Sequence, residues 1–265
     1  MKTFNILLIV MVLYAANASA QQTYAEKLSA SPRHHEWITI ENGTKELYCF
    51  VAFPEVADKA KVVIVIHENR GLNDWARLFT DQLAAKGFIA IAPDLLSNTN
   101  DSIAKTTDFK NTDEARKAIY SLDPEKVTSN LNAVFKHAKS VEAGNGEVSV
   151  VGFCWGGSQS FKYATNNPDL EEAIVFYGTA PKEKESLLNI DIPVYGFYGG
   201  NDNRVNATIA PTEEILKTAY KIYSYEIYEG AGHAFMRRAE DENEDSPNKK
   251  AARKAWSKLI EILQY

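Results

Sequence analysis

Cysteine is scarce. The 265-residue chain holds two, Cys49 and Cys154, so at most one disulfide is available, the reading that an even count invites in an exported protein. The five histidines are scattered without ligand spacing, which speaks against a metal hydrolase. His34 and His35 read as an exposed, flexible pair. Clustered basic residues are also missing. The formal net charge is −6 and no Lys/Arg stretch mixes with aromatics, which argues against nucleic acid as a partner, because phosphate binding needs concentrated positive charge. There is no internal repeat and no break in composition. Beyond the first residues no long apolar run occurs, so the remainder is expected to be soluble, away from the membrane, and folded as one domain.

What is present begins with a leader pattern. Lys2 supplies a positive start, Phe4 to Tyr14 an apolar core, and Ala18-Ser19-Ala20 the small residues of a cleavage site. The apolar run is shorter than the roughly 20 residues that span a bilayer. Residues 1–20 are therefore expected to be a signal peptide and residues 21–265 a secreted or periplasmic domain. No cysteine at the cleavage site offers a point for lipid attachment.

Two early strands, Trp37 to Glu41 and Glu46 to Phe53, flank the turn Asn42-Gly43-Thr44. From Val62 the rhythm changes. Short continuous apolar runs at Val62 to Ile66, Phe88 to Ala92, Val148 to Phe153, Ala173 to Tyr177 and Val194 to Tyr198 have the pattern of buried parallel strands, and Tyr223 to Tyr228 adds a last one. Between them lie helical patterns at Asp74 to Lys86, around Ala115 to Leu122, at Val127 to Lys139, Trp155 to Asn166 and Pro211 to Tyr220. A further helix, Ala251 to Leu263, closes the chain. Gly144-Asn145-Gly146 reads as a turn, and Arg237 to Lys250 as a solvated, mobile loop. Alternating strands and helices predict an α/β fold: a mainly parallel sheet of about eight strands with helices on both faces.

The chemistry is carried by Gly152-Phe153-Cys154-Trp155-Gly156-Gly157, between a buried strand and a helix. This is the nucleophile-elbow pattern with cysteine where serine is commoner. Small residues two before and two after Cys154 let strand and helix approach closely. Trp155 N–H then sits at a helix start, where it can hold an oxyanion and where the helix end favours thiolate. A buried structural cysteine in a glycine-rich turn is the competing reading of the motif by itself. Asp202 follows the strand at Val194 to Tyr198, and His233 follows the strand at Tyr223 to Tyr228. Nucleophile, acid and base in that chain order, each just past a strand end, converge on one edge of the sheet. His67-Glu68-Asn69-Arg70-Gly71 follows the first strongly buried strand and is placed to supply the second oxyanion amide.

These segments resemble the dienelactone hydrolase family of α/β-hydrolases: Val65-Ile66-His67-Glu68-Asn69-Arg70-Gly71-Leu72, Ala92-Pro93-Asp94-Leu95, the Cys154 elbow, Gly199-Gly200-Asn201-Asp202, and Tyr228-Glu229-Gly230-Ala231-Gly232-His233-Ala234-Phe235. The resemblance implies hydrolysis of cyclic enol-lactones, as by carboxymethylenebutenolidase, with a Cys-His-Asp triad and no cofactor or metal. It implies Cys154 as nucleophile, His233 as base and then acid, and Asp202 as its orienter. Glu68 is implied to contact the resting thiol and help activate it, with the oxyanion between the N–H groups of Trp155 and Asn69. Arg237 matches an arginine that meets a substrate carboxylate; read from its neighbours alone it is equally a surface arginine. Arg116, sharing a helix face with Tyr120 at i, i+4, is a second candidate for substrate binding. Two further readings stand beside the lactonase: a broad carboxylesterase or thioesterase with the same triad, and a non-catalytic binding protein on the same fold. A disulfide to Cys154 would remove the nucleophile, so both cysteines are expected to be free, with Cys49 a small core residue.

Overall fold

The computed structural model describes residues 22–43 and 45–265; the expected signal peptide lies outside them. A capped turn of helix, α1 (Tyr24–Ser29), precedes an antiparallel hairpin of β1 (His35–Asn42) and β2 (Lys45–Ala52). Then follow β3 (Ala60–Ile66), α2 (Asp74–Ala84), β4 (Ile89–Pro93), α3 (Thr112–Tyr120) and α4 (Pro124–Ser140). The second half runs β5 (Gly144–Phe153), α5 (Trp155–Ala164), β6 (Ala173–Phe176), β7 (Val194–Gly199), α6 (Asn203–Asn206), α7 (Ile209–Thr218), β8 (Tyr223–Tyr228), α8 (Phe235–Arg238) and α9 (Pro247–Leu263). The strands form one eight-stranded sheet in the order β1-β2-β4-β3-β5-β6-β7-β8. β2 is antiparallel to both its neighbours; from β4 to β8 every pairing is parallel.

The period of two along each strand builds two cores. Val63, Val65, Val151, Phe153, Ile174 and Phe176 point to the face covered by α1, α2, α8 and α9. Val62, Ile64, Ile66, Val148, Val150 and Val175 point to the face covered by α4, α5 and α7. Burial on both faces explains why these strands read as unbroken apolar runs. Phe153, Phe176 and Phe197 are register partners across β5, β6 and β7. Their rings stack, with centroids 4.8 and 4.6 Å apart, and Phe79 closes edge-on at 4.5 Å. Each such contact adds about 0.5–1.5 kcal/mol beyond area burial. The ladder fixes the relative height of three strand ends.

Three local expectations are corrected. Gly144-Asn145-Gly146 belongs to β5, where Gly144 pairs with Ala60 across an irregular register. The segment from Arg237 to Lys250 is largely ordered: Arg237 closes into α8, and α9 starts at Pro247, capped by the Ser246 hydroxyl. His35 is not a free surface group, because its Nε2 lies 2.7 Å from the buried Asp81, which also accepts from Arg33 and Ser31. This cluster straps the residues before β1 to α2. The helix α1 has no sequence pattern of its own, because 6 residues make fewer than two turns, too short for a periodicity to show.

Both cysteines are free thiols. Cys49 lies on β2, separated from β5 by β4 and β3. Three strand spacings amount to roughly 14 Å, about twice the Cα separation that a disulfide tolerates.

Candidate active site

The loops after β3, β5, β7 and β8 meet at the C-terminal edge of the sheet, where open α/β sheets form their clefts. Cys154 is the residue between β5 and α5, with φ 56° and ψ −114°. A non-glycine residue in that region is strained by order 1–3 kcal/mol and persists only where its surroundings demand it. They do. A Cβ added to Gly152 would lie 2.0 Å from Gly156 O, and one added to Gly156 would lie 2.3 Å from His67 O. Strand and helix therefore approach to a distance only glycine permits. Cys154 N–H donates to Phe176 O at 3.0 Å, which ties the turn to the neighbouring strand.

The side chains line up. Cys154 Sγ lies 3.1 Å from His233 Nε2, and His233 Nδ1 lies 2.5 Å from Asp202 Oδ2. Asp202 is buried and His233 is partly open to the cleft. Burial of the imidazole opposes its protonation, but the hydrogen bonds to Asp202 and to the sulfur outweigh it and lift its pKa to about 9. Such a line can take a proton from the thiol onto the imidazole and hold the resulting cation against a carboxylate.

Glu68 is 3% exposed. Arg237 Nε donates to its Oε2 at 2.7 Å, and the Tyr177 hydroxyl donates to its Oε1 at 3.4 Å. The resemblance implied a contact between Glu68 and the resting thiol; here the thiol faces His233, and Glu68 is held by Arg237. Arg237 is consequently neither a solvated surface residue nor a wholly free carboxylate receptor. Its Nε is engaged, while its side chain lines the cavity of about 510 Å³ that also holds Cys154, His233, Glu68 and Arg116. Arg116 does reach this cavity, at its rim, paired with Asp113 at 3.3 Å. Tyr120 does not. It accepts a hydrogen bond from Asn69 Nδ2 at 3.0 Å and lines a neighbouring cavity beside Trp155. The i, i+4 spacing is real, but the two residues, about one turn apart along α3, line different cavities.

Two residues that sequence reasoning missed complete the geometry. Tyr177 follows β6 at φ 40°, fully buried, its ring edge-on to His233 at 5.2 Å. Its hydroxyl stays protonated well above the ordinary range, first because it is buried and then because Glu68 and Cys154 are close. Its signal was available: as Cys154 directly follows β5, Tyr177 directly follows β6, at the same register level. The second is His67. Leu95 N–H donates to Nε2 at 3.3 Å, so Nδ1 carries the proton and donates to Glu68 O at 2.8 Å. The ring stacks on Trp155, 5.7 Å between centroids. Burial holds this imidazole below its usual pKa. His67 thus pins the loop bearing Glu68 and Asn69 against the helix start bearing Trp155. The loop's other anchor is Thr106: its hydroxyl donates to buried Asp94 at 2.7 Å and accepts from Leu72 N–H at 3.0 Å.

Among the described residues no group of three or more His, Cys, Asp or Glu side chains could hold a metal ion, and no helix is long and apolar enough to cross a membrane.

A sequence profile of the Dienelactone hydrolase family matches residues 47–265. A protein of Saccharolobus solfataricus named "Putative carboxymethylenebutenolidase" is 29% identical over 252 residues, covering 83% of this chain and 94% of its own. A Bradyrhizobium protein named "Probable 2-oxo-3-(5-oxofuran-2-ylidene)propanoate lactonase" is 24% identical over 242 residues, covering 87% of this chain and 94% of its own. Among solved structures, a protein of Klebsiella pneumoniae named "Putative Dienelactone Hydrolase" superposes with a TM-score of 0.76 at 23% identity, over 88% of this chain and 99% of that one. That last likeness bears on the fold.

Proposed function

Because the chain belongs to the dienelactone hydrolase family, we propose that it hydrolyses small lactones or esters through a thioester on Cys154. The observation that carries this reading is the unbroken line of sulfur, imidazole and carboxylate, 3.1 and 2.5 Å, at three strand ends. His233 takes the thiol proton and Asp202 stabilises the imidazolium. The thiolate adds to the substrate carbonyl, and the oxyanion is held by the N–H groups of Trp155 and Asn69. Collapse breaks the C–O bond as His233 returns the proton to the leaving oxygen. Water, deprotonated by His233, then cleaves the thioester and frees the acid. In a lactone the leaving oxygen stays tethered to the acyl group, so one ring-opened hydroxy acid, or its keto tautomer from an enol-lactone, is the product.

Glu68 acts beside this line as a buried anion that sets the position of Arg237, and Arg237 presents its remaining N–H groups to the cleft. The names carried by the Saccharolobus and Bradyrhizobium relatives favour a lactone. The second reading, a broader carboxylesterase, is favoured by the engagement of two of the three arginines that line the cleft, Arg237 by Glu68 and Arg116 by Asp113. Kinetics on a panel of lactones and short aryl esters separate the two.

The test of the nucleophile is selective alkylation. Cys49 is fully buried, and burial pushes its thiol far above the usual range. Iodoacetamide should label Cys154 before Cys49 and abolish turnover in step. A Cys154→Ala protein that hydrolysed at the wild-type rate would sink the reading.

A further inference from the structure

The cleft at Cys154 does not end at its rim. A second cavity of about 340 Å³ adjoins it, and Arg70, Asn111 and Thr112 line both. Its walls come from Tyr24, Trp75 and Phe109, with Asn73 and Thr107 supplying polar edges. The volume is within the range of about 300–1,000 Å³ typical of small-molecule sites. Tyr24 belongs to α1, which precedes the span matched by the family profile, residues 47–265. That helix is bolted in place beside the second cavity: the Tyr24 hydroxyl donates to Asp241 at 2.9 Å, and Lys27 pairs with Glu240 at 3.0 Å. One part of the wall is thus made by a segment outside the span that the family profile matches, and it is fastened next to the helix that carries Arg237.

Charge decides what this cavity suits. Asp74 on its wall is paired with Arg77, so it presents no unpaired carboxylate to a guest. Arg70, exposed at the junction, has no ion pair or side-chain hydrogen bond among the described residues. A guanidinium beside the aromatic walls of Tyr24, Trp75 and Phe109 can stack on the face of a ring that these walls hold.

We propose that this second cavity is a subsite for an aromatic arm of the substrate, its ring packed against the walls of Tyr24 and Phe109 with the Arg70 guanidinium over one face. The proposal rests on the assignment of Cys154 as the reacting group and narrows its substrates to aryl-bearing lactones or esters.

The test is alkylation of Cys154 in the full domain by chloroacetamides carrying N-methyl, N-butyl or N-(2-phenylethyl) arms, followed by mass spectrometry. In each case the sulfur displaces chloride and forms one S–C bond, so the readout is independent of ester turnover. The phenylethyl reagent should react about tenfold faster than the butyl reagent at low concentration, the ratio that a modest ring contact supplies. That ratio should fall towards one in Arg70→Gln and in Tyr24→Ala. Arg70 is exposed and unpaired, so its substitution does not threaten the fold if Tyr24→Ala proves unstable. No preference for the aryl arm in the wild type, or a preference that survives both substitutions, overturns the subsite. Failure of the parent reading looks different: Cys154→Ala would retain ester hydrolysis, whatever the arm preference of the thiol.

Discussion

Replacing Asp202 by asparagine changes a charge and little else. The Asp202 side chain makes no helix-capping bond, and the structural bonds at this position are made by its backbone. What is lost is the carboxylate 2.5 Å from His233 Nδ1. The imidazole pKa is raised from 6.5 to about 9, and each unit corresponds to about 1.4 kcal/mol. Full conversion would give roughly 3 kcal/mol, but His233 is about one-third exposed and Cys154 shares the effect. A discounted share of ~1–2 kcal/mol is expected for Asp202. The sign follows from the direction of the shift. A raised pKa contributes stability that is complete below pH 6.5 and lost as pH rises through about 9. Asp202→Asn should therefore lower stability most at pH 6, and the gap from wild type should close near pH 9–10. NMR titration of His233 should show its pKa falling by about one unit or more, and kcat/KM should drop by about a hundredfold or more as the imidazole loses its orientation. A destabilisation equal at pH 6 and pH 10, with the His233 titration unmoved, would refute the reasoning.

Arg237→Ala leaves Glu68 buried without its cation and should cost about 2–3 kcal/mol in urea unfolding, while adding Glu68→Gln should restore more than half of it; strictly additive losses would show that the two do not act as a pair. The same Arg237→Ala protein should lose roughly ten- to a hundredfold in kcat/KM on acidic lactones and little on neutral aryl esters, and equal losses on both would remove Arg237 from carboxylate recognition. Gly156→Ala would place a Cβ 2.3 Å from His67 O and 2.4 Å from Ile66 O; moving a helix off a strand should cost about 3 kcal/mol and most of the activity, and an unchanged melting temperature would disprove the close approach. Asp81 is buried; although burial alone would raise its pKa, hydrogen bonds from Arg33, Ser31 and His35 hold it below the ordinary carboxylate range. Asp81→Asn should destabilise by ~2–3 kcal/mol at neutral pH. Because the pKa is depressed, that difference should shrink as acid protonates the wild-type carboxylate below about pH 4, and a constant difference down to pH 2 would count against the strap.

The sequence by itself determined the sheet and the three residues aligned at its edge. Buried strands show as apolar runs because both faces are covered; Cys154 and Asp202 each follow such a run within a few residues and His233 follows the partly exposed edge strand β8, so position along the chain translates directly into position on one edge. The glycines around Cys154 were legible for the same reason: close packing of a strand on the helix that follows it is a local demand. Only the tertiary structure decided what stands around that line. Glu68 and Arg237 are 169 residues apart and Tyr177 and Glu68 are 109 apart; no local pattern encodes an ion pair between loops that meet only when β3, β6 and α8 are assembled. The same holds for Arg116 and Tyr120, neighbours on one helix face that fall into different cavities, because the path of the helix across the cleft is set by what it packs on. The charged stretch after Arg237 read as solvated because its residues are hydrophilic. It is ordered because Glu68, Tyr24 and Lys27, each remote in sequence, reach that segment across the folded surface and supply its counter-charges and hydrogen bonds.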